Sequence, residues 1–168
     1  MSINTLLLLR HAKSDYPDGV ADHERPLASR GIREAALAGD WIRANVPPID
    51  AVLCSTATRT RQTLARTGID APVRYLDRIY DATVGTVIDV INGVESEFGT
   101  AVSTVLLIGH EPAMSATALG LSDGSNTTLT QEISLKFPTS AVAVLQTGSG
   151  WHELGLGGAE LVGFHVAR

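Results

Sequence analysis

The 168-residue sequence has one cysteine, Cys54. That excludes a disulfide within the chain and leads us to expect a reducing, cytoplasmic setting. Aromatic residues are scarce, at 5%, so the core has to be built from Ala, Val, Leu and Ile. Positive charge is in deficit: 13 Lys and Arg stand against 18 Asp and Glu, a formal net charge of −5. This argues against a nucleic-acid partner, which would need a basic face. Long apolar runs are also missing. Leu6 to Leu9 leads straight into Arg10-His11, which is too short for a signal peptide or a membrane span and reads as a strand. What is present, 44% hydrophobic and 18% charged residues, is enough for one folded domain over residues 1–168.

The patterning alternates strands with helices. Thr5 to Leu9 is a continuous apolar run of the kind that forms a buried parallel strand. A polar segment broken by Pro17, Gly19 and Pro26 follows, and from about Gly31 the apolar spacing is helical until Pro47-Pro48. Ala51 to Cys54 is the next strand, after which Ser55 is expected to cap a helix that Gly68 stops. A short strand at Val73 to Leu76, a helix over Thr83 to Phe98, the strand Val102 to Ile108 and a helix from Glu111-Pro112 to about Leu121 continue the series. Ser122 to Gln131 reads as a loop. Ala141 to Gln146, Trp151 to Leu154 and Leu161 to Val166 read as strands. The expected fold is α/β: a single-domain three-layer sandwich with a mainly parallel sheet, helices on both faces and antiparallel C-terminal edge strands.

In such sheets ligands bind outside the carboxyl ends of the strands. Three of the expected strands end in chemically useful residues: Arg10-His11, Cys54-Ser55 leading to Arg59, and Gly109-His110. Two histidines and two arginines at one sheet edge point to phosphoryl chemistry. Arginine forks bind oxyanions bidentately, and a neutral imidazole can attack phosphorus. Arg61 and Arg66, close by in sequence, read as solvated helix residues. Each of the four, taken alone, has an ordinary structural explanation; taken together and in this order they do not.

The ordered motifs resemble the histidine phosphatase superfamily, and most closely its short, SixA-type phosphohistidine phosphatases. They are Leu6-Leu7-Leu8-Leu9-Arg10-His11-Ala12-Lys13, Arg25-Pro26-Leu27 with Gly31, Ser55-Thr56-Ala57-Thr58-Arg59 with Gln62-Thr63, Gly109-His110-Glu111-Pro112 and Thr139-Ser140-Ala141. The resemblance implies that His11 is phosphorylated during turnover and that Arg10, Arg59 and His110 line the phosphate pocket. It implies no cofactor and no metal. It also implies an open site able to admit a phosphorylated protein or a small phosphorylated substrate, because the chain has little room for the lid that larger members insert. Position 12 is Ala where the broad family has Gly. Asp81 is the candidate general acid, its ordinary alternative being a helix cap; Asp15, Asp22 and Glu111 are further candidates.

Three other readings compete with this one. A hydrolytic metal centre could draw on His11, His23 and His110 with Asp15, Asp22 or Asp81, but no two histidines have helical metal-ligand spacing. Cys54 precedes Arg59 as in a cysteine phosphatase loop, yet the segment Ser55 to Thr58 is one residue too short and lacks glycine. A non-catalytic module binding phosphohistidine or phosphate would keep the same cradle.

Overall fold

Strand β1 (Asn4–Arg10) lies at the centre of a six-stranded sheet in the computed structural model, which describes residues 2–168. The strand order is β3-β2-β4-β1-β5-β6, with β2 Ala51–Ser55, β3 Val73–Leu76, β4 Thr104–Gly109, β5 Ala141–Thr147 and β6 Glu160–Val166. β3, β2, β4 and β1 run parallel, while β5 and β6 are antiparallel. Leu6, Leu7, Leu8 and Leu9 are all buried, because the strand is covered on both faces and has no solvent side to give to polar residues.

Alternate residues of β1 feed two cores. Leu7 and Leu9 pack with Ala38, Ile42 and Leu64 from helices α1 (Ser29–Asn45) and α2 (Thr58–Thr67). Leu6 and Leu8 face the other layer, made by α3 (Val84–Asn92), α4 (Val94–Phe98), α5 (Ala113–Leu121) and α6 (Thr127–Leu135). The expected three-layer α/β fold is the observed one. Two glycines set how closely the first layer packs. A Cβ on Gly31 would lie 2.1 Å from the Lys13 carbonyl oxygen, and one on Gly39 would lie 2.0 Å from that of Thr67.

Several local expectations need correcting. The single helix expected over Thr83 to Phe98 is two, broken at Gly93. The segment read as a loop runs into α6 from Thr127 onward, and the first turn of that helix is capped by Asn126 Oδ1 accepting the Leu129 N–H at 3.1 Å. Trp151–Glu153 is a 3-10 turn rather than a strand, and the buried Trp151 indole N–H donates to the Val102 carbonyl at 2.8 Å. Ser55 does not cap α2, which begins three residues later at Thr58 behind Ala57. No described helix is long and apolar enough to cross a membrane.

Candidate active site

The parallel register places the ends of three strands side by side, pairing Arg10 with Gly109 and Cys54 with Ile108. The residues that follow are therefore brought to one edge. His11 N–H donates to the Gly109 carbonyl at 3.0 Å, and the His11 and His110 ring centroids are 5.3 Å apart. His11 Nδ1 bonds the Ala12 carbonyl at 2.8 Å. A carbonyl only accepts, so Nδ1 carries the ring proton and Nε2 keeps its lone pair. The turn is held from beneath by the Ala12 N–H donating to Thr63 Oγ1 at 2.9 Å. The Ala12 methyl is buried against Leu27 and Ala35, which accounts for a side chain at this position.

Both imidazoles are biased toward neutrality. Burial, opposed by the bond to Ala12 and reinforced by the charges of His110, Arg59 and Arg10, brings His11 down to about 3. Burial and then Arg59 bring His110 down to about 4. His110 Nε2 lies 2.8 Å from Ser55 Oγ, which also accepts the Ala57 N–H at 3.2 Å. Arg10 Nη1 donates to the Phe137 carbonyl at 3.0 Å, and Arg59 Nη1 donates to the Asp22 carbonyl at 2.7 Å. Three N-bearing atoms of this group, Arg10 Nε, Arg59 Nε and His110 Nδ1, are buried without a protein partner. A folded chain rarely buries such atoms unpaired, and three on neighbouring cationic or ring side chains are what an oxyanion would satisfy.

Arg59 is held by a segment whose role composition alone did not reveal. Residues 13–15 pair with 26–28, through Asp15 N–H to the Pro26 carbonyl at 2.8 Å and Ala28 N–H to the Lys13 carbonyl at 2.9 Å. Arg25 braces this loop by donating to Ser14 Oγ, the Asp15 carbonyl and Asp22 Oδ1. Asp22 Oδ2 in turn accepts from Arg59 Nη2 at 3.1 Å and from the Tyr80 hydroxyl. The Tyr80 bond and those from Arg25 and Arg59 hold its carboxyl below the usual carboxylate range, which favours the ionised form in which Asp22 anchors Arg59. Tyr80 also meets His110 edge-on at 5.4 Å.

Asp81 lines the cavity of about 260 Å3 that Arg59, His110, Tyr80 and Glu111 share. It is exposed, and the cap of α3 is Thr83, whose Oγ1 accepts the Thr86 N–H at 3.2 Å. Glu111 accepts from Ser115 N–H at 2.6 Å and Oγ–H at 2.7 Å. Asp15 stays outside this cavity's lining. His23 is bonded to Glu24 and Thr56, and no three His, Cys, Asp or Glu side chains among the described residues are grouped as a metal site would require. Cys54 is fully buried, and burial pushes its thiol up to about 12. It is a packed thiol and not a thiolate nucleophile.

Residues 6–89 match the histidine phosphatase superfamily (branch 1). A protein of Mycobacterium tuberculosis (strain H37Rv) is 59% identical over 162 residues, which is 95% of this chain and 100% of the relative. This chain belongs to the histidine phosphatase superfamily. Within the superfamily it falls in the SixA-type branch. Phosphohistidine phosphatase SixA of Escherichia coli (strain K12) is 26% identical over 153 residues, covering 86% of this chain and 88% of that protein. A solved structure from Nakamurella multipartitia, proposed to be phosphohistidine phosphatase SixA, matches with a TM-score of 0.89 at 38% identity, covering 100% of this chain and 99% of that one.

For this histidine phosphatase-type chain, sequence reasoning brought out His11, Arg10, Arg59 and His110 but passed over Tyr80 as the partner of Asp22. The available signal was its position beside Asp81, just before the same helix. Ser140 was quoted only as part of a motif. It has a φ of 64°, its N–H is shared between the Arg10 and His11 carbonyls at 3.2 Å each, and its Oγ is buried without a partner.

Proposed function

We propose that this chain is a phosphatase that hydrolyses a phosphomonoester or protein phosphohistidine by way of a phosphohistidine intermediate on His11. The observation that carries this reading is the free Nε2 of a neutral His11 beside three buried, partnerless N-bearing atoms of Arg10, Arg59 and His110. In the first step the Nε2 lone pair attacks phosphorus and a P–N bond forms. The bond to the leaving atom breaks, and its electron pair departs with that atom, which takes a proton from Asp81 where it is basic enough to need one. In the second step water attacks the phosphohistidine and returns a proton to Asp81 where that residue has given one up; the P–N bond breaks, Nε2 recovers its pair and inorganic phosphate leaves.

Throughout, Arg10, Arg59 and His110 face the three peripheral oxygens, where the charge of a loose phosphoryl transition state resides. Ser55 supports this by bonding His110 Nε2; with the Ser55 hydrogen given to that nitrogen, His110 Nδ1 carries the N–H and donates to the phosphoryl group. The reaction needs no cofactor. Phosphorylated proteins fit this reading as substrates, since the cavity reaches the surface at the exposed Asp81.

The test is His11→Ala. It is expected to abolish turnover while leaving the melting temperature and circular dichroism of a folded domain, and wild-type enzyme quenched with labelled substrate is expected to carry acid-labile phosphate on His11. A fully active His11→Ala protein overturns the mechanism.

A further inference from the structure

The cavity is cationic only at its phosphoryl end. Beyond Arg59 and His110 its wall carries three acidic side chains, Asp22, Asp81 and Glu111, together with the ring of Tyr80 and the apolar edge of Pro112. Asp22 is already balanced by Arg25 and Arg59. The other two are not: among the described residues neither Asp81 nor Glu111 forms an ion pair.

Glu111 is the more firmly built of the two. Both of its oxygens accept bonds from Ser115, at 2.6 and 2.7 Å, which fix the carboxylate at the start of α5 without neutralising it. Its charge is felt as far as Arg10, whose guanidinium it helps to keep protonated against the effect of burial. In the same cavity the nine-tenths-buried Arg59 keeps its Nε unpartnered. A ligand that answers both observations is an anion at one end and a cation at the other.

We infer that the substrate carries a positive charge on the leaving side of its phosphoryl group, and that Glu111 is the residue that selects for it. This rests on the phosphatase reading above. A single carboxylate several ångströms from a unit charge, half screened by solvent, changes binding by about tenfold. It favours a cation and disfavours an anion, so the two together differ by about a hundredfold, and the difference shrinks in salt. A phosphoramidate side chain with a protonated ring and a small amino-alcohol phosphate share this chemistry.

The experiment compares kcat/KM at low ionic strength for phosphoethanolamine, propyl phosphate and phosphoglycolate, which differ in the charge of the leaving side, with p-nitrophenyl phosphate as a general substrate. The wild-type order is expected to be cation, neutral, anion. Glu111→Gln preserves an oxygen for the Ser115 N–H and is expected to cut the cation-to-anion ratio about a hundredfold, since both the attraction and the repulsion are lost. Because the ratio is taken within one preparation, partial loss of folded enzyme cancels. A phosphohistidine peptide assayed beside phosphoethanolamine shows which carrier of the charge is preferred. Turnover with no charge order, or an unchanged ratio in Glu111→Gln, overturns this inference alone. Absence of turnover on every phosphate, the aryl ester included, overturns the phosphatase reading and this inference with it.

Discussion

Arg59 and Asp81 border the same cavity but act at different ends of the breaking bond, and that separates their expected effects. Arg59 would stabilise the transferring phosphoryl group whatever departs from it. Arg59→Ala should therefore slow every substrate by about 10²- to 10³-fold, the usual loss for one preorganised donor. Asp81, as proton donor, would matter only to the leaving atom. Asp81→Asn should be severe for an alkyl phosphate and mild for an aryl phosphate or phosphohistidine, giving a steeper dependence on leaving-group pKa than wild type. Equal slopes for the two proteins would remove Asp81 from the mechanism. At this scale the sequence was most informative where chemistry narrows the choice of residue: His11, His110, Arg10 and Arg59 were legible because few structural needs place such groups behind strands. Tyr80 was harder to read, because its one trace in the sequence is its place beside Asp81, while the aspartate that it bonds lies fifty-eight residues away.

Among the elements, α1 depends on having no side chain at two positions. Its Gly39 meets the carbonyl of Thr67 at the end of α2, where a methyl would stand 2.0 Å from oxygen. Backbone cannot yield as a side chain does, so Gly39→Ala should destabilise the domain by about 3 kcal/mol or more, measured by chemical denaturation. The same change at the exposed end-cap Gly99, where no atom lies within 4 Å, should cost only the strain of its φ of 68°. Strands β1, β2 and β4 were readable because burial on both faces leaves uninterrupted apolar runs. α6 was hidden by Thr127, Thr128 and Thr130, whose low helix propensity is overridden by the Asn126 cap and by Ile133 packing in the core. The 3-10 turn at Trp151 was mistaken for a strand because its apolar side chains serve the core from a turn, which periodicity does not distinguish over so short a run.

For the whole molecule, two neutral buried imidazoles tie stability to pH. His11 and His110 titrate near 3 and 4 when folded, against about 6.5 in an unfolded chain. Between those values the unfolded chain binds protons that the native protein does not, so stability is complete above about pH 6.5 and falls as pH drops toward 4. The melting temperature should fall across that window, and less steeply in a His11→Gln, His110→Gln double variant; parallel curves would show that the imidazoles are not the cause. Asp22 acts at a lower pH, since its carboxyl is held ionised below the usual range, and its exposure limits its weight.

The pairing of β1 with β4 also sets when the protein can first work. The two histidines follow adjacent strands, yet more than half of the chain lies between them. Closing so long a loop comes late relative to local helix formation, because its entropy is lost before the contact is gained. A nascent or refolding chain can thus show most of its helical signal while still unable to turn over substrate. Recovered activity is then expected to report the final docking of the sheet's centre.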